Sequence, residues 1–381
     1  MIPYGRQSID ETDIAAVVAV LRSAWLTQGP TGAAFEEALA QRCRAEHAIA
    51  VCNATAALHL ACLALDVGPG DLVWTSPNSF VASANCARYC GAGVDFVDID
   101  PITLNISLPR LEEKLRTAAR QGKLPKVLIP VHFSGRACDM KAIAHLGRQY
   151  GFCVIEDASH AVGAQYADEP VGSCRYSDIT VFSFHPVKII TTGEGGMALT
   201  NDPTLADRLR RLRSHGITRE QKAMPLAADG PWHYQQVELG FNYRMTDIQA
   251  ALGLSQLGRL DAFLASRRSL VRRYGQILAG LPVTLPPTDD DSAWHLYPIR
   301  VDAKRRRSIF EALQASGIGV QVHYIPIHLQ PDFQKLGFRA GDFPEAEAYY
   351  RQALSLPLYP ALTDDDQDRV AVALRSALNA R

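Results

Sequence analysis

The chain has 381 residues, 47% of them hydrophobic and 21% charged, with 39 basic side chains against 40 acidic ones. Beyond roughly 250–300 residues a single core stops growing, so two unequal domains are expected. Ordinary globular composition excludes a disordered chain, and a net charge of −1 gives no electrostatic footprint for nucleic acid or an anionic membrane.

The opening stretch, MIPYGRQSIDETD, lacks the apolar core of a signal peptide, and no apolar run approaches the roughly 18 residues of a membrane span. A cytoplasmic protein is expected. Its eight cysteines are read as reduced, buried thiols, because none forms a CxxC pair and no ligand cluster has metal spacing. Ser8-Ile9-Asp10-Glu11 reads as an S-x-x-E capping box that starts a helix ending near Leu21.

Short apolar runs then alternate with helix-like runs up to residue 215. The strand candidates are HAIAVC (47–52), DLVWTS (71–76), VDFVDID (94–100), KVLIPV (126–131), FCVIED (152–157), ITVFSFH (179–185) and GMALT (196–200). Helix candidates fall between them, at Ala56–Leu65, up to Tyr89, PRLEEKLRTAARQ and DMKAIAHLGRQYG. Continuous apolar runs between helices predict an α/β domain whose mainly parallel sheet is covered on both faces. Helical periodicity resumes at Thr246 and runs to about Gly280, and the domain boundary is placed within it, after residue 255. Residues 1–255 form the expected large domain, whose N-terminal segment is allowed to pack on the smaller one. Residues 256–381 read as a small α+β domain with strands in HLYPIRV and VQVHYIP.

Arginine outnumbers lysine 31 to 8, so each lysine can be weighed in turn. Lys114 and Lys141 fall at polar positions of helix-like stretches, and Lys123, Lys126, Lys222, Lys304 and Lys335 sit in polar surroundings. Lys188 differs, lying among apolar residues in SFHPVKIITTGEGGM. Partial desolvation there lowers an amine's pKa and makes it a usable nucleophile. Position alone also fits a lysine whose stem covers apolar surface while its ammonium reaches water.

Asp157 ends a strand candidate at the sheet edge where open α/β sheets bind ligands, so its carboxylate suits a cationic ring nitrogen. Taken alone it also fits a helix N-cap. At Asn53-Ala54-Thr55 a strand turns into a helix of small residues, whose free N–H groups suit a phosphate. The chain has neither GxGxxG nor GxxxxGK[ST], which argues against nicotinamide and nucleoside triphosphates. The glycines of TGEGG fit a tight turn. An activated amine, a carboxylate for a ring nitrogen and a phosphate cradle are together what pyridoxal 5′-phosphate requires.

The motifs NATAALHLA, EDASHAVG, FSFHPVKIITTGEGG and GFNYRMTDIQAALG, in that order, resemble those of the DegT/DnrJ/EryC1/StrS family of pyridoxal-phosphate-dependent sugar aminotransferases. The resemblance covers essentially the whole chain, from IPYGRQSI to SLPLYPALTDDD. It implies the fold-type I transferase architecture, with a large cofactor-binding domain and a small C-terminal one. It implies that Lys188 carries the cofactor as a Schiff base and that Asp157 keeps the pyridine nitrogen protonated. His160 would lie near the ring, and Phe80 would stack on it, although Phe80 alone also fits a core aromatic. Ser183 and the backbone at Ala54, Thr55 and Ala56 would bind the phosphate.

The same resemblance has Asn242 reach the cofactor of a neighbouring subunit, which implies a homodimer with shared sites. Tyr4, Trp25, Leu26, Thr27, Ser183, Asn242, His323 and Tyr324 would line the substrate site. Without the resemblance, His323 and Tyr324 fit strand packing. The segments IPYGRQSI, WLTQGP, VQVHYIPIH, RSHGI and LGLSQL are similar to the pseudaminic acid branch of the family. That implies transfer of an amino group from L-glutamate to C4 of a UDP-4-keto-6-deoxy-N-acetylhexosamine. The alternatives are another nucleotide 4-keto sugar or a catalytically idle sugar-nucleotide binder. A dehydratase branch of the family carries His at the Schiff-base position, so Lys188 favours amino transfer.

Overall fold

Seven strands form the central sheet of the computed structural model, which describes residues 1–380. They are β1 (His47–Val51), β2 (Leu72–Thr75), β3 (Gly93–Phe96), β4 (Val127–Ile129), β5 (Cys153–Asp157), β6 (Ile179–Ser183) and β7 (Gly196–Thr200). Their spatial order is β1-β7-β6-β5-β4-β2-β3. Neighbours from β6 through β5, β4 and β2 to β3 run parallel. Only β7 is reversed, pairing antiparallel with both β6 and β1. The cause is local: loop 184–195 joins β6 to β7 without a crossover helix, and a parallel neighbour would need one.

Side-chain alternation along the strands sorts the core into two faces. Ile49, Val51, Val73, Val127, Ile129, Ile155, Val181 and Ala198 face one layer. Trp74, Leu128 and Val154 on the central strands, and Phe182, Met197 and Leu199 on the others, face the opposite layer. The first layer holds α3 (Ala54–Ala64), α4 (Ala82–Tyr89) and α7 (Pro203–Arg213). The second holds α2 (Pro30–Cys43), α5 (Leu108–Gln121) and α6 (Met140–Tyr150). In α5, Leu111, Leu115 and Ala118 recur at the spacing of one helical stripe and are its buried residues. Burying such a leucine stabilises the fold by about 1.5–3 kcal/mol.

α1 (Glu11–Leu21) begins two residues later than the Ser8 box predicts. Asp10 is the N-cap, accepting from the Thr12 and Asp13 amides, while the Asp13 carboxylate answers the Asp10 amide. A carboxylate cap also complements the helix dipole, which a serine cannot do. The long periodic stretch is two helices, α8 (Asp247–Gly258) and α9 (Leu260–Ile277), meeting at Arg259. Residue 255 lies inside α8, which packs on α1 and α2.

A separate core joins α9 to helices Arg306–Ala315 and Asp364–Asn379 and to an antiparallel pair, Tyr297–Arg300 with Ala353–Leu356. Leu270, Tyr274, Ile299, Leu313, Leu354 and Leu374 are its buried centre, and Ile2 joins them from the start of the chain. Ile2 is held by hydrogen bonds of 2.8 Å to the Gly317 carbonyl and 2.7 Å from the Gly319 amide. Arg267 is fully buried, and its Nη1 donates to the carbonyls of Trp294, His295 and Leu358.

The strand expected in VQVHYIP does not form. Gln321 makes one bridge to Ser355, after which the chain turns away to the central sheet. The partner strand Ala353–Leu356 was not anticipated. Its ALSL run is too short to distinguish from the helix end before it. All eight cysteines are unpaired, and Cys43, Cys62, Cys86, Cys138 and Cys174 are buried. Among the described residues no helix is long and apolar enough to cross a membrane, and no cluster has the makings of a metal site.

Candidate active site

The strands β1, β2, β4, β5 and β6 all end at one edge of the sheet, and a cavity of about 490 Å³ opens there. Its lining brings together ten of the residues expected from sequence: Tyr4, Ala54, Thr55, Phe80, Asp157, His160, Ser183, Lys188, His323 and Tyr324.

One end of the cavity starts at α3. Asn53 is its N-cap in extended conformation, and its Oδ1 accepts from the Ala56 amide at 2.8 Å. That bond commits Ala56 and leaves the Ala54 and Thr55 amides free at this end, with the Ser183 side chain beside them. β7 is what brings α3 so close. A Cβ on Gly196 would sit 2.6 Å from the Ala54 nitrogen, a contact real Cβ atoms do not make. The last glycine of TGEGG is therefore more than a turn residue: its missing side chain lets the helix N-terminus reach the sheet edge.

At the opposite end Asp157 closes β5 with both oxygens engaged. Oδ2 accepts from Ser83 Oγ at 2.6 Å and Oδ1 from the Ser159 amide at 3.1 Å. Residues 158–163 form turns rather than a helix, so Asp157 is not an N-cap.

Lys188 enters from loop 184–195, its amide tied to the His185 carbonyl at 2.9 Å. Burial pushes its ammonium down to about 8, and Asp157 partly opposes the shift. Lys114 is the instructive contrast. It is half-buried over the Trp74 ring rather than on a solvated face, and burial lowers it too. Its amine is already committed to Asp95 at 2.7 Å and the Phe96 carbonyl at 2.6 Å. Both lysines line cavities, but only the one at Lys188 also holds Asp157, His160 and the start of α3.

His160 lies between these groups. Its Nδ1 accepts from the Ser134 amide at 3.3 Å, so the ring proton sits on Nε2, 3.1 Å from the Tyr324 hydroxyl. Burial, then the Lys188 charge, holds His160 well below the ordinary histidine value. His323 is pushed down to about 4 by burial and then by Lys188, and its Nδ1 pairs with Ser355 Oγ at 2.8 Å. Burial raises the Tyr324 hydroxyl above its usual value, with Asp157 adding to the shift. His160 and His323 therefore stand neutral, and Tyr324 protonated, around the Lys188 amine. Phe80 stands at the rim, 60% exposed, with its ring centroid 6.5 Å from that of Tyr324.

Five expected residues lie outside this cavity's lining, Ala56 among them. Trp25 and Leu26 are 56% and 49% exposed, and Thr27 is also exposed, where it bridges to Thr246 at the start of α8. Asn242 is exposed and bridges to Ser214. Sequence reasoning missed Asn53, Ser79, Ser83, Ser159, Glu194 and His295, which also line the site. Asn53 was legible as an N-cap residue type before a helix. Nothing local marked the serines or His295.

A sequence profile of the DegT/DnrJ/EryC1/StrS aminotransferase family matches residues 7–375. The chain is 41% identical to the spore coat polysaccharide biosynthesis protein SpsC of Bacillus subtilis over 383 aligned positions, covering 98% of this chain and 96% of that protein. Its fold is similar to Helicobacter pylori PseC, an aminotransferase involved in pseudaminic acid biosynthesis, with TM-score 0.91, 31% identity and 99% of each chain covered. It is similar to the sugar aminotransferase Spr1654 of Streptococcus pneumoniae in its PLP-form, with TM-score 0.89, 30% identity, and 99% of this chain and 98% of that one covered. With the profile spanning nearly the whole chain and a relative this similar end to end, the chain belongs to the DegT/DnrJ/EryC1/StrS aminotransferase family.

Proposed function

We propose that the protein is a pyridoxal-phosphate-dependent transaminase that moves an amino group from L-glutamate to C4 of a UDP-4-keto-6-deoxy-N-acetylhexosamine. The product would be UDP-4-amino-4,6-dideoxy-N-acetyl-β-L-altrosamine. The observation that carries the reading is one cavity holding a depressed lysine amine, an anchored carboxylate and two free helix amides. The likeness to PseC and to a PLP-form neighbour supports it.

The residues fit the cofactor. The Ala54 and Thr55 amides and the Ser183 hydroxyl suit its phosphate, Asp157 its ring nitrogen, and Phe80 one face of its ring. Bound there, the cofactor supplies an electron sink for charge developed at the substrate carbon. Lys188 Nζ, partly unprotonated near neutral pH, takes the proton from the donor's Cα and later returns one at the sugar's C4. His160 Nε2–H holds the Tyr324 hydroxyl in place, and with Tyr4 and His323 it shapes the sugar end. Burial disfavours a positive charge on His160 and on His323, so neither adds a cation beside the Lys188 amine.

Trp25, Leu26, Thr27 and Asn242 are exposed and lie outside the cavity lining of their own chain. We assign them to the site of a second copy in a homodimer. The exposed Trp25, Trp232 and Leu239, at 56%, 70% and 78%, support burial against a partner. The unpaired cysteines support a reducing, cytoplasmic setting.

Borohydride reduction with the cofactor present is expected to attach it to the peptide holding Lys188. Lys188→Ala should lower amino transfer from glutamate by about 10³-fold or more. Normal turnover by that variant would defeat the reading. The higher identity to SpsC supports a second substrate assignment, another nucleotide 4-keto sugar destined for a polysaccharide. A panel of UDP- and dTDP-keto sugars separates the two by their relative kcat/KM.

A further inference from the structure

Asp157 is anchored by a hydroxyl chain that the proposed reaction does not itself require. Ser83 Oγ–H donates to Asp157 Oδ2 at 2.6 Å, and Ser79 Oγ lies 2.7 Å from Ser83 Oγ. All three side chains are enclosed, with Ser83 0%, Ser79 3% and Asp157 4% exposed. A hydroxyl has one proton to donate. Ser83 gives its proton to the carboxylate, so the contact with Ser79 is a donation from Ser79 to Ser83. The chain thus has one direction, Ser79 to Ser83 to Asp157. The Ser159 amide holds the other oxygen at 3.1 Å, which fixes the carboxylate plane on the cavity wall.

We infer that Ser83 is a positioning residue for the ring nitrogen of the cofactor, acting through Asp157, and that Ser79 polarises it. The inference rests on the proposed function. Two physical effects support it. A carboxylate with both oxygens anchored keeps one orientation toward a planar ring. A hydroxyl that donates to a carboxylate also gives it a charge-assisted hydrogen bond where water is scarce. Ser79 and Phe80 lie just before α4 and Ser83 in its first turn, so one short stretch carries both the rim aromatic and the carboxylate anchor.

The test compares equilibrium binding of pyridoxal 5′-phosphate with that of its 1-deaza analogue, in which carbon replaces the ring nitrogen. Ser83→Ala is expected to weaken the natural cofactor on the order of tenfold to a hundredfold, the range of a charged hydrogen bond. The deaza analogue has no nitrogen to hold, so its affinity should stay within about twofold. Ser83→Thr, which keeps the hydroxyl, should restore the difference. Ser79→Ala should show the same selectivity with a smaller loss. Equal losses for both cofactors would reduce Ser83 to a packing role and overturn the inference, as would an unchanged natural affinity. Wild-type protein that binds both cofactors equally well would overturn it too, by removing the role of Asp157 at the nitrogen. Wild-type protein that takes up neither would sink the proposed function and this inference with it.

Discussion

Lys188 shows how one side chain couples local polarity to the behaviour of the whole chain. Its ammonium titrates at about 8 in the fold, against 10.5 for an ordinary lysine. Between those values the unfolded chain still holds a proton that the folded chain has released. Stability of the cofactor-free protein therefore rises with pH across that window, by at most about 1.4 kcal/mol per unit from this group. Lys188→Met should remove that part of the slope in denaturant titrations stepped from pH 7 to 10. Identical slopes in both proteins would contradict a depressed amine. The lysine and Asp157 were legible because their types are unusual in apolar surroundings at a strand end. Ser83 was not. A serine early in a helix is unremarkable until the fold sets it against a residue 74 positions away. The commitment of Ala56 was equally hidden, because it depends on which of three adjacent amides the Asn53 side chain takes.

The site is assembled where elements meet, and β7 is the element on which most depends. Gly196 pairs with Ser183 on one side and Val51 on the other, directly under the N-terminus of α3. Gly196→Ala would push a methyl into the Ala54 amide and the Asn53 carbonyl, backbone groups that cannot yield cheaply. The expected cost is about 1–3 kcal/mol of stability, the range for overpacking. Because the displaced backbone is the proposed cradle, affinity for inorganic phosphate and for pyridoxal phosphate should fall in parallel. Thermal unfolding and cofactor titration measure the two effects. A destabilised variant with unchanged affinity would show that the cradle does not depend on this approach. The strands around Gly196 were readable as apolar runs, but the reversal of β7 was not. Apolar runs carry no direction, and only the missing crossover helix in loop 184–195 marks it. At VQVHYIP the alternation was real, yet one bridge to Ser355 replaced a strand because the chain leaves to place His323 and Tyr324 at the cavity.

Over the whole molecule, the cavity draws on both hydrophobic cores. The sheet edge supplies Asp157 and Ser183, loop 184–195 supplies Lys188, and the chain leaving the second core after Gln321 brings His323 and Tyr324, with Tyr324 packed on the sheet's first layer. The N-terminal segment ties Ile2 into that second core and carries Tyr4 to the cavity, its carbonyl accepting from the Leu358 amide at 3.0 Å. One chain still leaves Asn242 exposed and away from the cavity lining. If that residue completes the site of a second copy, two defects on different chains should repair each other. Lys188→Ala supplies a sound Asn242 but no base, and Asn242→Ala supplies the base but not the reaching amide. In a mixed dimer one site inherits both defects and the other inherits neither. Random exchange of equal amounts makes half the dimers mixed, each with one sound site, so activity should return to about a quarter of wild type. The assay is amino transfer before and after unfolding and refolding the two inactive variants together. The same variants refolded separately and then combined serve as the control. Recovery only on joint refolding supports a shared site. No recovery, with subunit exchange verified by a tagged chain, would place Asn242 outside the partner's site and leave each cavity to its own chain.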